Sequence, residues 1–83
     1  MDVRQEVVTV VDTVLNLRGR ATALKLDSAL LGSIPELDSM AVVGVITALE
    51  ERFGFAVDDD EIEGSTFATL GSLVAFVESK LKG

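Results

Sequence analysis

Three stretches of this 83-residue chain repeat apolar residues at the three- and four-residue intervals of a helix face. That pattern limits the fold to helices packed on helices. The clearest stretch is Val42, Ile46, Leu49 and Phe53, which predicts a buried stripe on a helix over residues 39–53. Asp38 stands at its start as a cap and Gly54 at its end. Val3, Val7, Val10, Val11 and Val14, completed by Leu17, predict a first helix over 3–17. So many valines resist helix formation because β-branching crowds the preceding turn, which makes a strand the competing reading. Strict alternation fails, however, at the adjacent pairs Val7-Val8 and Val10-Val11. Asp2 followed by Gln5 resembles a capping box. Leu70, Leu73, Val74, Val77 and Leu81 predict a last helix capped by Thr69, with Lys80 and Lys82 suiting its C-terminal end.

The segments between these helices are less regular. Residues 18–38 read as a long ordered loop punctuated by Gly19, Gly32 and Pro35. Leu24, Leu26, Leu30, Leu31, Ile34 and Leu37 call for burial there, and a helical turn near 28–31 fits. A long connection in a compact domain is often functional. Residues 58–63, "DDDEIE", predict a short third helix that Gly64 would end. The expected fold is therefore all-α: a small antiparallel four-helix bundle of three main helices, a short third one and a long first loop, in a single domain over 1–83. Gly44, in the middle of the second helix, costs ~1 kcal/mol relative to alanine. It is accounted for either by close packing against a neighbouring loop or by surface cleared for a partner.

Composition excludes several functions. The net charge is −7, from 14 acidic against 7 basic residues, and such a surface repels phosphate backbones, so no nucleic-acid partner is expected. The chain has no cysteine and no histidine. A serine nucleophile therefore lacks its usual base, and no catalytic residue is expected. Lys25, Lys80 and Lys82 sit in polar contexts that suggest no lowered pKa. A calcium loop counted from Asp58 needs glycine sixth and glutamate twelfth; it finds Glu63 and Thr69, so no metal site is expected. No segment has the ~18 uninterrupted apolar residues of a membrane span and no signal peptide is visible, so a cytoplasmic protein without membrane insertion is the expectation. The apolar faces are consumed by the core, which predicts a monomer.

The remaining candidate is Asp38-Ser39. On local sequence alone, Asp38 is a cap and Ser39 an ordinary first-turn residue. Position alters that reading. Ser39 follows a long loop and opens a helix, so its hydroxyl should be exposed, and a helix N-terminus favours a phosphodiester attached there. Met40 and Val43 lie off the core stripe and offer apolar surface beside it.

At these residues the chain resembles the acyl carrier protein family. That family opens its second helix with Asp-Ser-Leu; here the run is Asp38-Ser39-Met40. Fourteen residues beyond the serine the family has a phenylalanine closing an "ALEEEF"-like segment, matched here by "ALEERF", Ala48 to Phe53. The acidic "DDDEIEG" run and the Thr69-capped last helix also match. The resemblance implies a four-helix bundle that is a shuttle and not an enzyme. It implies a covalent 4′-phosphopantetheine arm on Ser39, with Asp38 recognised by the phosphopantetheinyl transferase. The transferase, using its own bound magnesium, would take the arm from coenzyme A. The arm's thiol would carry acyl groups as thioesters between the enzymes of fatty-acid, polyketide or specialised acyl-transfer pathways. Partner contacts would fall on Met40, Val43, Thr47, Glu50 and Glu51.

Some positions depart from the family. Glu36-Leu37 stands where fatty-acid carriers place Gly-Ala or similar. Ala41 and Gly44 stand where those carriers have acids, two and five residues after the serine. These departures point to a specialised carrier, served by an acyl-activating ligase or a synthase, whose docking leans on apolar contacts more than on exposed ion pairs. Two alternatives stay open: an aminoacyl or peptidyl carrier, though those are less acidic as a rule, and an unmodified helical interaction module.

Overall fold

Helix α1 runs Val3–Leu15, α2 Ser39–Phe53 and α3 Leu70–Lys82, with 3-10 turns at Arg20–Ala23 and Gly64–Phe67. The computed structural model describes residues 2–30, 32, 34, 37–58, 61–62 and 64–82, with Ser39 described by its backbone alone. Helix α1 packs against both α2 and α3. The core between them holds Val7, Val11 and Leu15 of α1, Val45, Ile46 and Leu49 of α2, and Leu70, Leu73 and Val77 of α3, closed by Leu17, Leu30 and Phe67 from the connections. Among the described residues there is no strand; one antiparallel pairing joins Ala29 to Thr69.

The helix ends follow from local chemistry. The Asp2 carboxylate accepts the Gln5 N–H at 3.3 Å and opens α1. Helix α1 stops at Leu15, two residues earlier than its apolar pattern suggests, because Asn16 turns left-handed (φ 54°) and the Leu17 N–H folds back to the Asp12 carbonyl at 2.9 Å. The Asp12 carboxylate then accepts the Gly19 and Ala21 N–H groups at 2.8 and 3.2 Å and starts the first 3-10 turn. At α3 the cap is reciprocal. The Ser72 N–H donates to Thr69 Oγ1 and the Thr69 N–H to Ser72 Oγ, both at 3.0 Å.

The long connection is stitched to α3 by its backbone. The Leu26 carbonyl accepts the Gly71 N–H at 2.7 Å and the Ser28 carbonyl accepts the Leu70 N–H at 3.0 Å, while the Leu30 N–H donates to the Ala68 carbonyl at 3.0 Å. Two N–H groups that a helix start leaves without intrahelical acceptors are satisfied this way. The seam corrects several expectations. The loop carries a 3-10 turn at Arg20–Ala23, where none was expected, and the turn expected near 28–31 runs into Leu31, outside the described residues. Leu30 and Leu37 are buried and Leu24 and Ile34 partly so, but Leu26 is 49% exposed, because its carbonyl and not its side chain makes the contact. Leu31 and Pro35 lie outside the described residues.

Further corrections concern the stripes. Val14 and Leu81 are exposed, whereas Val8, Leu15, Val45 and Phe67 are buried. The neighbour of Gly44 is Val14 of α1 and not a loop: a Cβ on Gly44 would lie 3.4 Å from Val14 Cγ1. In the acidic run, Asp59, Asp60 and Glu63 lie outside the described residues, and Gly64 opens a 3-10 turn where it was expected to end a helix.

Glu61 ties the acidic run to α3. Lys80 Nζ donates to its two carboxylate oxygens at 2.9 and 3.0 Å, and the Asp58 N–H donates to Oε2 at 2.8 Å. These bonds, Lys80 first, hold the Glu61 pKa below the usual glutamate value of 4.5. A lowered folded pKa stabilises above the unfolded value and is lost as pH falls through the folded one. Glu61→Gln is therefore expected to lower the melting temperature at neutral pH, with the difference from wild type shrinking as the pH falls below 4.5. Parallel thermal melts across that range check it; a constant difference would contradict it.

Candidate functional site

The start of α2 is built from its cap. The Leu37 N–H donates to the Ile34 carbonyl at 3.0 Å, and the buried Leu37 side chain anchors the end of the loop to the core. Asp38 is extended (φ −108°, ψ −174°), and its Oδ1 accepts the Ala41 N–H at 2.8 Å. Its carbonyl accepts the first intrahelical bond, from the Val42 N–H at 2.9 Å. Ser39 is consequently the first residue of α2. The N–H groups of Ser39 and Met40 are left without an intrahelical acceptor, and the first turn holds no acidic side chain. Positive helix-end potential and free donors suit an attached phosphodiester, so the residues present fit a phosphopantetheine group.

The surface beside Ser39 is apolar. Met40 is 78% and Val43 56% exposed, and Thr47 is exposed one turn on. Between Ser39 and Glu50 the helix carries no charged side chain. The two adjacent glutamates differ. Glu51 is exposed, whereas Glu50 is half-buried and its Oε2 accepts the Val57 N–H at 2.8 Å, securing the chain after the helix. The structure thus brings Asp38, Met40, Val43, Thr47 and Glu51 onto the outer side of the helix that Ser39 opens, and turns Glu50 to an internal task. Gly54 ends the helix in left-handed geometry (φ 77°), its N–H on the Glu50 carbonyl at 2.8 Å.

The cap carries a measurable share of stability. Asp38→Ala is expected to cost about 1 kcal/mol, while Asp38→Asn, which keeps an acceptor, costs about half of that or less. Urea unfolding of the two variants distinguishes them; equal losses would mean that the charge and not the cap matters. The sequence reading did not single out Asp12, Ser72 or Gly71, which hold the frame around the site. Thr69-x-x-Ser72 was legible as a cap pair; the backbone seam had no residue signature.

Among the described residues no group of His, Cys, Asp or Glu is arranged to hold a metal ion, and no helix is long and apolar enough to cross a membrane. A family model described as the phosphopantetheine attachment site matches residues 5–77. The solution NMR structure of a holo acyl carrier protein from Nitrosomonas europaea is 59% identical to the chain over 100% of both, with a TM-score of 0.91. No curated protein matches the sequence.

Proposed function

The chain belongs to the phosphopantetheine-attachment family of acyl carrier proteins, and from that premise we propose that the Ser39 hydroxyl is the point at which the 4′-phosphopantetheine arm is joined. The observation that carries this reading is the placement of Ser39 as the first residue of α2, directly behind the Asp38 cap and within the matched segment. The protein is a carrier and not a catalyst. When bound, the arm supplies a thiol on which acyl groups are carried as thioesters.

Each neighbouring residue has a task in this reading. On attachment Ser39 Oγ forms a bond to the pantetheine-bearing phosphorus of coenzyme A. Its proton passes to a base on the transferase and adenosine 3′,5′-bisphosphate leaves. Asp38 fixes the helix start and turns an exposed carboxylate to the transferase. The Ser39 and Met40 N–H groups offset the phosphodiester charge. Met40, Val43 and Thr47 give partner enzymes an apolar footing, and Glu51 gives them one acidic contact. Glu50 contributes less, since its carboxylate is engaged with Val57.

The partners are the phosphopantetheinyl transferase and acyl-activating ligase or synthase enzymes of a fatty-acid, polyketide or specialised acyl-transfer pathway. The chain works as a monomeric single carrier domain over residues 1–83, in the cytoplasm, where coenzyme A supplies the arm. Intact-mass measurement after incubation with coenzyme A and a broad-specificity transferase tests the reading. Wild type is expected to gain the mass of one arm and Ser39→Ala none. An unmodified wild type, or a modified Ser39→Ala, would overturn it.

A further inference from the structure

Met40 is the most exposed large apolar side chain among the described residues, at 78%. It takes no part in the core, neither among its buried residues nor among the partly buried ones packed against them. Nothing in the fold requires a thioether at this position. The composition of the chain gives that thioether a distinct chemistry. With no cysteine, histidine, tryptophan or tyrosine, the polypeptide holds sulfur only in its two methionines, Met1 and Met40. A peroxide that meets the apo protein therefore finds these thioethers as its targets. Met1 lies outside the described residues. Met40 stands in the first turn of α2, directly after Ser39, on a stretch without a charged side chain up to Glu50. A thioether is apolar and flexible, whereas its sulfoxide carries a strong hydrogen-bond acceptor. Oxidation would place that oxygen on the apolar surface that Met40 shares with Val43 and leave the core untouched.

We propose that Met40 is a reversible oxidation site that switches recognition of the start of α2. A hydroperoxide delivers its outer oxygen to the Met40 sulfur. A sulfur lone pair forms the S–O bond, the O–O bond breaks, and the departing oxygen takes up the hydroperoxide proton and leaves as water or an alcohol. Sulfur loses two electrons and the peroxide gains them. A dithiol-dependent sulfoxide reductase reverses the step: the oxygen leaves as water, the thioether is restored and two thiols close to a disulfide. In the oxidised state, an enzyme that seats Met40 against an apolar surface must strip water from the sulfoxide oxygen without replacing it, so docking weakens. The Ser39 hydroxyl is unaltered, so the chemistry on it is not slowed. The proposal rests on Ser39 being the attachment point and on Met40 bearing on the enzyme that modifies it. What it adds is a dependence on the oxidation state of one sulfur.

The test is arm attachment to the full-length apo protein by a broad-specificity transferase, before and after treatment with hydrogen peroxide. The apo protein has no thiol to compete for the oxidant. Intact mass counts the oxygens added, and the peptide 26–52, whose one methionine is Met40, assigns them. Oxidation at Met40 is expected to raise KM for the carrier about tenfold with kcat within about twofold. Treatment with both sulfoxide reductases, one for each epimer, is expected to bring KM back. Met40→Leu is compared only with itself and is expected to keep its own KM through the peroxide step, although Met1 can still take up oxygen. An unchanged KM in wild type oxidised at Met40, or an equal rise in Met40→Leu, overturns the proposal while leaving Ser39 in place. So does oxidation confined to Met1. An untreated wild type that takes no arm overturns both readings. Urea unfolding separates docking from folding. An unchanged midpoint on oxidation is expected, and a rise in KM that comes with a lowered midpoint places the effect in the fold and overturns the proposal.

Discussion

Phe67→Ala is expected to remove about 3–5 kcal/mol of stability, the range for truncating a fully buried aromatic side chain. Phe67 is 1% exposed and is among the largest fully buried side chains of the chain. A domain of this size is stabilised by roughly 4–12 kcal/mol in all, at 0.05–0.15 kcal/mol per residue. The loss is therefore from about a quarter of that stability to all of it, and at the low end of the range it brings the variant to its unfolding midpoint. It also has a direction within the structure. Phe67 closes the 3-10 turn Gly64–Phe67, next to Ala68, whose carbonyl accepts the Leu30 N–H. Loosening that turn loosens the seam between α3 and the loop that leads to Ser39. Urea unfolding should show a lower midpoint with an unchanged slope. A loss below about 1 kcal/mol would mean that the core collapses into the space, contrary to the packing described.

Gly71→Ala is the second large effect, and its sign decides between two opposing tendencies. Alanine in place of a helical glycine ordinarily gains up to about 1 kcal/mol. Here a Cβ would lie 2.8 Å from the Leu26 carbonyl oxygen, which is backbone and cannot swing aside, and that same oxygen accepts the Gly71 N–H at 2.7 Å. Forcing the two apart strains the packing by about 1–3 kcal/mol and weakens a bond worth about 1 kcal/mol. Strain wins, and a net loss of about 1–3 kcal/mol is expected. Gly64→Ala is the control. A Cβ there meets nothing within 4 Å, so it should be neutral or stabilising by up to about 1 kcal/mol. If the two substitutions behave alike, the close approach at Leu26 is not a constraint.

These two positions also show what the sequence could and could not convey. Helix α2 was legible to the residue, because Asp38 and Gly54 are side-chain and conformational signals that act locally. The end of α1 was not, since the Val14–Leu17 pattern continues past a left-handed Asn16 that the periodicity ignores. The fold of the long loop was hidden for a different reason. Its contacts with α3 are made by the carbonyls of Leu26 and Ser28, and any residue has a carbonyl. Leu26 was accordingly misread as buried, while Gly71, which makes room for its carbonyl, passed unnoticed. At the site, Asp38, Met40 and Val43 fell where the helical spacing put them, but Glu50 and Glu51 are indistinguishable in sequence. Only the fold shows that Glu50 turns inward to the Val57 N–H and that Glu51 stays exposed. Local chemistry was readable; the division of labour between adjacent like residues was set by tertiary context.

The account turns on one oxygen atom, and the chain provides its own way of finding it. Cleavage after Lys25 and Arg52 releases a peptide over 26–52 that contains Ser28, Ser33, Ser39 and Thr47. Fragmenting that peptide from the arm-loaded protein assigns the added mass to a single hydroxyl. The expected result is the whole of the modification on Ser39; the arm on Ser28, Ser33 or Thr47, or on any other peptide, would contradict it.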